Sequence, residues 1–451
     1  MPLLNENVTK IIDDLGIKTT YYWLNMLKSL PMYQLGVVKS SGKLLDGVNL
    51  GELCAEMVYL AEHELYLPLV LGGGVQYDSI LKNSKKVNGI RITSEKDIDQ
   101  IVKASLENQI NVANQLSYFG VESFLVPPDF VFVQPHGPEN LNGEDIDVGY
   151  VGDIIHINTK PIIQAIQNNR IPIFSHVGKF NDDFYNVNAT TVAKDLVKFL
   201  QAKKLILLGD TPIYDSNGNI VKTVFSEIEF DKMVKNGIIK GGMITNGQEA
   251  YDLLNYLGPG HSVQITTLKY STEGIASTGL LEELIGDGSG TKLISPFVIT
   301  SFPIEAVDNV VLQKLVSEVF LEHGYYLVDN YFDIIKDKDI TVYLDSLPQG
   351  GAITYPVDDF EYVCKLFTHK NYEGLGIATS ILESIILQNN KVVWRSSNES
   401  SIEKYKKMIT HFDGKVINNG MYTIFMVGID NVDSVYNSII SLPPTIIPIK
   451  D

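Results

Sequence analysis

Short apolar runs alternate with amphipathic segments between residues 35 and 295. The runs occupy residues 35–39, 67–71, 171–175 and 204–209, and glycine or polar residues follow each of them. Nearly continuous apolar strands between helices are typical of a parallel sheet that is covered on both faces. The pattern predicts an α/β domain whose ligands bind at the carboxyl ends of the strands, where Lys39, residues 72–74 and Asp210 lie.

The last third of the chain has a different pattern. Residues 294–303 are predicted to form a linker or a first strand. The apolar positions of residues 310–322 recur with a helical period and predict a helix. Further strands are predicted at 340–344, 350–355, 361–368, 391–396 and 420–427, and further helices at 379–387 and 400–409. Antiparallel strands followed by alternating helices and strands predict a separate α+β domain.

A glycine turn stands between a predicted strand and a predicted helix of this second domain. It consists of Glu373, Gly374, Leu375, Gly376, Ile377 and Ala378. The first N–H groups of a helix have no partner inside the helix, and the helix dipole favours an anion there. The turn therefore predicts a pyrophosphate site, although such glycines can also serve only to turn the chain.

Composition narrows the class of protein. A chain of 451 residues is expected to form two or three domains. The net charge of −18 argues against nucleic acid and anionic membrane surfaces as partners, and no apolar run approaches the roughly 20 residues that span a bilayer. Two cysteines and scattered histidines predict neither a disulfide framework nor a metal site. Residues 1–20 lack arginine, so no signal or transit peptide is expected in them.

Several short motifs occur in a fixed order in the first domain. They are Lys39-Ser40-Ser41-Gly42, Gly72-Gly73-Gly74, Arg91-Ile92-Thr93, Tyr185-Asn186-Val187-Asn188-Ala189, residues 204–210 and Lys240-Gly241-Gly242-Met243. This order resembles the amino acid kinase family, and specifically its N-acetylglutamate kinase branch, over roughly residues 20 to 295. The resemblance implies a sandwich built on a parallel sheet.

Departures from the family pattern predict that this kinase-like domain is catalytically inactive. Ser41 and Leu71 replace a glycine and a histidine of the family, Thr190 replaces the aspartate that organises the catalytic lysines, and Asn246 replaces a lysine. Phosphoryl transfer depends on cations held at the developing charge. Without one of two lysines and the organising carboxylate, the rate should fall by several orders of magnitude.

The second domain resembles the GNAT acetyltransferases in the order of its elements and in its glycine turn. Lys365-Leu366-Phe367 and Val393-Trp394-Arg395-Ser396 resemble the vertebrate-like N-acetylglutamate synthase family more narrowly, as does the N-terminal stretch Leu15-Gly16 with residues 21–24. The resemblance runs through the whole chain. It implies a helical arm over 1–30, a kinase-like domain over 31–295 and an N-acetyltransferase domain over 296–451.

The resemblance implies transfer of acetyl from acetyl-CoA, as cosubstrate, to the α-amino group of L-glutamate. The turn 373–378 would hold acetyl-CoA. The glutamate contacts it implies are Lys336, Lys365, Arg395, Ser396, Asn398 and Ser400. Cations suit the two carboxylates of glutamate, and Arg395 could bind one with two parallel hydrogen bonds. Ordinary surface ion pairing is the alternative for these cations.

A backbone N–H and a phenol complete the expected chemistry. In this fold the oxyanion donor lies on the strand before the turn, so Leu366 or Phe367 is the candidate. Tyr405 is the candidate acid for the departing thiolate. The chain also departs from this family, because Ser397 stands where a second arginine is expected, Ser400-Ser401 replace Asn-Pro, and Lys406 stands beside Tyr405.

A possible regulatory site lies near the end of the kinase-like domain. Glu283, followed by a glycine-rich stretch with Gly288 and Gly290, resembles the arginine-binding segment of arginine-responsive relatives. A carboxylate flanked by carbonyl groups suits a guanidinium. A glycine-rich surface loop is the equal alternative.

Three functions remain open at this point: an arginine-regulated N-acetylglutamate synthase, a bifunctional synthase and kinase, and a non-catalytic arginine-sensing subunit. Thr190 and Asn246 argue against the second function, Ser397 and Ser400 are compatible with the third, and the synthase is the favoured interpretation. The family resemblance implies a homotetramer. It also implies the mitochondrial matrix in a eukaryote and the cytoplasm otherwise.

Overall fold

The computed structural model describes residues 31–45, 47–73, 77, 81, 84–87, 90–141, 143–209, 211–240, 242–266, 269–270, 276–277, 280–285, 290–345, 348–373, 376–397, 399–409, 412 and 414–449. The predicted arm over residues 1–30 lies outside this set, and so do Asp210, Gly288, Gly374, Leu375 and Asn398. The chain divides into two compact units, Met1–Ser295 and Pro296–Asp451.

The first unit is an α/β structure. Its strands are β1 (Val37–Ser40), β2 (Leu69–Leu71), β3 (Lys86–Val87), β4 (Ile90–Arg91), β5 (Ser123–Leu125), β6 (Val131–Pro135), β7 (Pro138–Leu141), β8 (Glu144–Asp147), β9 (Gly152–Ile157), β10 (Ile171–Phe174), β11 (Val177–Phe180), β12 (Asp183–Asn186), β13 (Lys204–Leu208), β14 (Thr223–Val224), β15 (Ser262–Thr266), β16 (Lys269–Tyr270), β17 (Ala276–Ser277) and β18 (Thr291–Ile294). Its helices are α1 (Gly47–Glu62), α2 (Glu95–Tyr118), α3 (Thr159–Gln167), α4 (Ala189–Leu200), α5 (Glu227–Lys235), α6 (Gly242–Leu257) and α7 (Leu280–Ile285).

A mostly parallel sheet forms the centre of this unit, in the order β14-β18-β15-β13-β1-β2-β10-β5. Only β15 and β18 pair in antiparallel fashion. Hydrophobic clusters cover both faces, with Val37 and Val70 on one and Val38 and Leu69 on the other. Because successive strand residues point to opposite faces, strands buried on both sides are apolar throughout. The prediction of a parallel α/β sheet is confirmed.

A smaller sheet in the order β12-β11-β6-β9 was not predicted from the sequence. Its strands carry mixed apolar and polar residues, as in Val131–Pro135, where only Val131 and Val133 are buried. Such short, half-exposed strands lack the continuous apolar runs that identified the central sheet.

The second unit is an α+β structure. Its strands are β19 (Ile299–Pro303), β20 (Tyr325–Leu327), β21 (Thr341–Asp345), β22 (Gly350–Val357), β23 (Phe360–Thr368), β24 (Val392–Ser396), β25 (Lys415–Asn418), β26 (Thr423–Val427) and β27 (Ile446–Pro448). Its helices are α8 (Asn309–Glu322), α9 (Tyr331–Ile335), α10 (Ile377–Gln388), α11 (Glu399–Ile409) and α12 (Val432–Ser441). Short 3-10 turns occupy Met32–Gln34, Gly42–Leu44, Pro128–Phe130, Ile304–Ala306 and Lys370–Tyr372.

A seven-stranded sheet separates two hydrophobic clusters of this unit, in the order β19-β21-β22-β23-β24-β26-β25. Helices α8, α9 and α12 contribute to the cluster on one face, and α10 and α11 to the cluster on the other. The predicted order of strands and helices is present here. The predicted strand 420–427 begins only at Thr423, because Gly420 has a positive φ of 84°. Strand β25 and helix α12 were not predicted, and β25 is a largely exposed edge strand.

The described residues contain neither a membrane-spanning helix nor a metal-binding cluster. They contain no helix that is both long and apolar enough to cross a membrane. They also contain no group of three or more His, Cys, Asp or Glu side chains that could hold a metal ion.

Gly428, directly after β26, allows a close approach of two backbone segments. Its φ is 68°, and a Cβ at this position would lie 1.9 Å from the carbonyl oxygen of Asn390. We expect Gly428→Ala to destabilise the second unit by more than about 2 kcal/mol, because it adds a clash to the left-handed strain. Gly420→Ala is the matched control, because its φ is 84° and a Cβ added there would have no heavy atom within 4 Å. Calorimetric melting temperatures that fall equally in the two variants would contradict the clash.

Candidate active site

The parallel strands β23 and β24 separate partway along their length. Residues 361–363 pair with residues 392–394, and the register ends there. Strand β23 nevertheless continues to Thr368, and β24 continues to Ser396. On its other side β23 stays paired with β22 as far as Thr368. Beyond Val363, one edge of β23 therefore faces a gap within the sheet.

A β-bulge lies where this gap begins. Val363 and Lys365 face consecutive residues of β22, which leaves Cys364 as the extra residue. Bulges bend a strand and interrupt its pairing. Past the bulge, Leu366 and Phe367 pair with β22 again. Since neighbouring residues of an antiparallel ladder direct their N–H groups to opposite sides, one of these two directs its N–H into the gap.

The glycine turn leads into α10 at the same end of β23. Gly376 is the residue before the helix and has a φ of 95°, a conformation that favours glycine. No side chain caps this helix, so its first N–H groups remain available to an anion. Ile377 is buried and Ala378 is half-buried, whereas Gly374 and Leu375 lie outside the described residues.

Two histidine–carboxylate pairs surround the start of this turn. The Nε2 atom of His323, at the end of α8, lies 2.8 Å from the Oε1 atom of Glu373. His369 pairs in the same way with Glu322, 3.1 Å away, and Glu322 also accepts a hydrogen bond from the Lys370 N–H. The hydrogen bond to Glu373 is the main reason that the pKa of His323 is raised, although burial opposes it. The pair ties the turn to α8.

Lys365 is a buried cation on β23. Only 4% of the residue is exposed, and its Nζ atom donates to the Cys364 carbonyl (3.3 Å) and the Thr445 hydroxyl. The ring of Tyr331 lies 4.5 Å from Nζ. Burial lowers the pKa of Lys365, and no carboxylate of a described residue pairs with it. A buried ammonium that has only neutral partners favours an anionic ligand.

Arg395 lies on β24, past the point where the strands separate. Its Nη1 atom donates to the carbonyl oxygens of Ile439 and Leu442, each at 3.1 Å, and its Nη2 atom donates to that of Pro443 at 2.8 Å. The guanidinium carbon is 4.6 Å from the centre of the Tyr422 ring. Arg395, which was predicted to bind glutamate, therefore binds main-chain carbonyl groups of the C-terminal region in this structure.

Tyr405 lies on α11 against the aromatic end of the sheet. Its ring centre is 5.9 Å from that of Trp394 and 5.4 Å from that of Phe425, both edge-on. Burial is the main reason that the pKa of Tyr405 rises to about 12. The phenol is therefore protonated at neutral pH, as a proton donor must be.

The other predicted substrate ligands differ in their surroundings. Ser396 is half-buried at the end of β24 and pairs with Thr423. Lys336 follows α9, its side chain is 61% exposed, and its Nζ atom lies 3.9 Å from the Asp333 carboxylate. Asn398 and the side chain of Ser400 lie outside the described part of the chain. Lys336 is thus in a solvated ion pair, which agrees with the alternative given above for it.

The carboxyl ends of the central strands of the first unit are the predicted ligand-binding edge of that sheet. The Gly72 N–H donates to the Ser40 carbonyl, 2.8 Å away, which brings the ends of β1 and β2 together. Asn186 donates to Thr93 at 3.3 Å. Thr190 stands in the first turn of α4, where its N–H is capped by the Asn188 side chain at 2.8 Å. The ends of β1 and β2 thus lie together, and Thr190 supplies no carboxylate to this edge of the sheet.

A second lysine with a lowered pKa lies beside the predicted regulatory residue. Glu283 is 1% exposed, and its Oε1 atom accepts a hydrogen bond from the Gly290 N–H at 2.7 Å. The Lys204 Nζ atom donates to the carbonyl oxygens of Glu283 (3.0 Å) and Leu284 (3.2 Å). Burial is the main cause that lowers the pKa of Lys204 to about 7, with Lys292 as a second cause. Glu283 and Gly290 are therefore in contact, and Gly288 lies outside the described residues.

Sequence reasoning missed several groups at these sites. No local sequence pattern identifies His323 or Thr445, because their partners are distant in the chain. His323 is 50 residues from Glu373, and Thr445 is 80 residues from Lys365. Lys204 had a usable signal: it is a lone cation at the start of an otherwise apolar strand, Lys204–Leu208. Such a lysine must find buried acceptors or lose its charge.

Profiles of two families match this chain. The profile of the amino acid kinase family matches residues 34–266. The profile described as NAT, the N-acetyltransferase of N-acetylglutamate synthase, matches residues 299–443.

Individual relatives cover different shares of this chain. Acetylglutamate kinase of Caldicellulosiruptor saccharolyticus is 28% identical over 268 residues, which is 56% of this chain and 88% of the relative. Protein arg-6, mitochondrial, of Neurospora crassa is 24% identical over 429 residues, which is 92% of this chain and 46% of the relative. The chain thus spans about half the length of that fungal protein.

Solved structures of one enzyme match both units. N-acetylglutamate synthase from Neisseria gonorrhoeae, complexed with coenzyme A and N-acetyl-glutamate, has a TM-score of 0.60 and 17% identity and covers 92% of this chain and 99% of its own. Its complex with coenzyme A and L-arginine has a TM-score of 0.58 and 16% identity, with the same coverage. At these identities the likeness establishes the fold.

The pairing of His323 with Glu373 predicts a titration. In Glu373→Gln we expect the pKa of His323 to fall toward its ordinary value of about 6.5, since the main cause of its rise is removed. NMR of labelled histidine measures it, with Glu361→Gln on β23 as the control. A raised folded pKa stabilises at low pH, and this contribution is lost as pH rises through that pKa. The melting difference between wild type and Glu373→Gln should therefore shrink as pH rises, and a constant difference would contradict the pair.

Proposed function

We propose that this chain, which belongs to the amino acid kinase family and carries the N-acetyltransferase domain of N-acetylglutamate synthase, transfers acetyl from acetyl-CoA to the α-amino group of L-glutamate. One observation carries the choice of acceptor. The buried Lys365 ammonium lies at the bulge where β23 opens, and no described carboxylate pairs with it. An amino acid with two carboxylates supplies the missing anion.

The open edge and the glycine turn support acetyl-CoA as the cosubstrate. The first N–H groups of α10, which no side chain caps, suit its pyrophosphate, with residues 373–378 around it. The N–H that Leu366 or Phe367 directs into the gap can donate to the thioester oxygen. Acetyl-CoA itself supplies the activated acyl group. The fold match to a synthase complexed with coenzyme A supports the same reading.

Each of these groups has a separate role in the proposed reaction. The glutamate amine must be neutral, and its nitrogen forms a bond to the thioester carbon while the C–S bond breaks. The N–H in the gap stabilises the negative charge that develops on the oxygen. The amine nitrogen loses its extra proton to water, the Tyr405 phenol donates a proton to the departing thiolate, and the resulting phenolate regains a proton from water. Lys365 holds a carboxylate, and we assign the remaining acceptor contacts to Lys336, Ser396, Asn398 and Ser400, while Arg395 acts through the C-terminal region that it binds.

A kinase activity is the second candidate, because an acetylglutamate kinase is 28% identical to the first unit. Thr190 and Asn246 argue against it, since neither can replace the carboxylate or the lysine that phosphoryl transfer requires. A protein without either activity would be the arginine-sensing subunit considered above.

A product assay tests these alternatives. With acetyl-CoA and glutamate, we expect acetylglutamate and free CoA. With ATP and N-acetylglutamate, we expect no ADP. Lys365→Met should raise KM for glutamate at least about tenfold and change KM for acetyl-CoA much less, because only the carboxylate loses its partner. Lys391→Met, which removes an exposed cation at the start of β24, is the matched control. ADP formation would support the kinase, and no product from either pair would overturn both activities.

L-Arginine is the proposed regulator of the first unit. The buried Glu283 carboxylate suits a guanidinium, and the half-buried Lys204, whose ammonium lies beside the Glu283 and Leu284 carbonyls, suits an α-carboxylate. The matching fold of a synthase complexed with L-arginine supports this assignment. Gly288 and Gly290 complete the proposed loop.

Calorimetric titration with L-arginine tests this site. We expect Glu283→Gln to weaken arginine binding at least about tenfold, because a neutral amide replaces the carboxylate under a guanidinium. Glu249→Gln, which changes a partly exposed carboxylate paired with Lys194 in the same unit, should not weaken it. Equal arginine affinity in wild type and Glu283→Gln would exclude this residue as the ligand.

Assembly and compartment remain proposals drawn from resemblance. We assign a homotetramer and, in a eukaryotic source, the mitochondrial matrix. The name of the Neurospora crassa relative, which describes it as mitochondrial, supports the second assignment.

A further inference from the structure

Residues 442–445, here named the C-terminal segment, cross the second unit beside the site. The segment follows α12 and precedes β27, which pairs in antiparallel fashion with β20. The Val328 N–H also donates to the Thr445 carbonyl at 3.3 Å. The segment is therefore held at both ends by regular structure.

The two cations Lys365 and Arg395 both bind this region. Arg395 donates to the carbonyl oxygens of Leu442 and Pro443 and to that of Ile439, one turn earlier in α12. Lys365 donates to the Thr445 hydroxyl. Strands β23 and β24, which separate at the gap, are thus each connected through a cation to the same short segment.

The composition of the segment decides what it can do there. Its sequence is Leu-Pro-Pro-Thr, so it brings no carboxylate to either cation. Two prolines fix φ and make the segment stiff. A planar guanidinium can donate to several carbonyl groups at fixed angles, which a lysine cannot reproduce. The Thr445 hydroxyl, in contrast, orients the Lys365 ammonium without neutralising it.

We propose that the C-terminal segment is a wall of the acceptor site, that Arg395 positions this wall through its carbonyl groups, and that Thr445 positions Lys365 for the acceptor's carboxylate. This inference rests on the proposed function, because it assigns the segment to the glutamate side of that reaction. Thr445 becomes a specificity-determining residue, since it sets where the ammonium stands. Arg395 acts on the substrate through the segment.

The test combines kinetics with hydrogen exchange on the full chain. Thr445→Val, which keeps the shape and loses the hydroxyl, should raise KM for glutamate about tenfold with little change in KM for acetyl-CoA. Thr445→Ser should recover most of that loss. Arg395→Lys should raise KM for glutamate and also accelerate amide exchange in residues 440–449, whereas Thr445→Val should leave exchange slow. Arg170→Lys, an exposed arginine of the first unit, is the matched control.

Each contrary result has a separate meaning. A higher KM for glutamate in Arg395→Lys with unchanged exchange would mean that Arg395 contacts the substrate directly, which overturns its positioning role. A lower KM for glutamate in Thr445→Val would mean that the segment obstructs the site, which overturns the wall. Wild-type protein that forms no acetylglutamate would refute the proposed function and, with it, the acceptor side of this inference. Thr445→Val is nearly isosteric, so the test survives if Arg395→Lys fails to fold.

Discussion

The separation of β23 from β24 is the constraint on which the rest of the second unit depends. Their parallel pairing ends after Val363, and a bulge at Cys364 follows directly. A closed sheet would use every N–H of β23 inside the ladder. Because the ladder opens, one N–H from Leu366 or Phe367 faces a gap, and the buried Lys365 stands next to it. The turn, the aromatic cluster around Tyr405 and the C-terminal segment all surround this opening.

The packing of the first unit does not depend on the polar residues at its strand ends. Its central strands are buried on both faces, so their packing depends on apolar residues such as Val38 and Leu69 and not on catalytic cations. Replacing a carboxylate by Thr190 leaves the start of α4 capped by Asn188. The strand ends of the first unit are therefore stable without a carboxylate at position 190.

The sequence predicted the elements well where a single pattern determines them. Continuous apolar runs identified β1, β2, β10 and β13, and a glycine turn identified the start of α10. It could not predict what each cation touches. Arg395 was expected to face a carboxylate, yet its nearest acceptors come from a region more than 40 residues later in the chain. Contacts of that kind depend on tertiary packing, which no local pattern encodes.

Lys365 and Lys204, which lie in different folds, share the same physical situation: a lysine whose pKa is lowered by loss of hydration. Each ammonium donates to neutral oxygens of its own unit, and loss of hydration lowers the pKa of each. An anion that binds beside such a lysine restores the charged form, because Coulomb attraction offsets the loss of hydration. Binding an amino acid's carboxylate should therefore couple to proton uptake most strongly at Lys204, whose pKa of about 7 leaves it partly neutral.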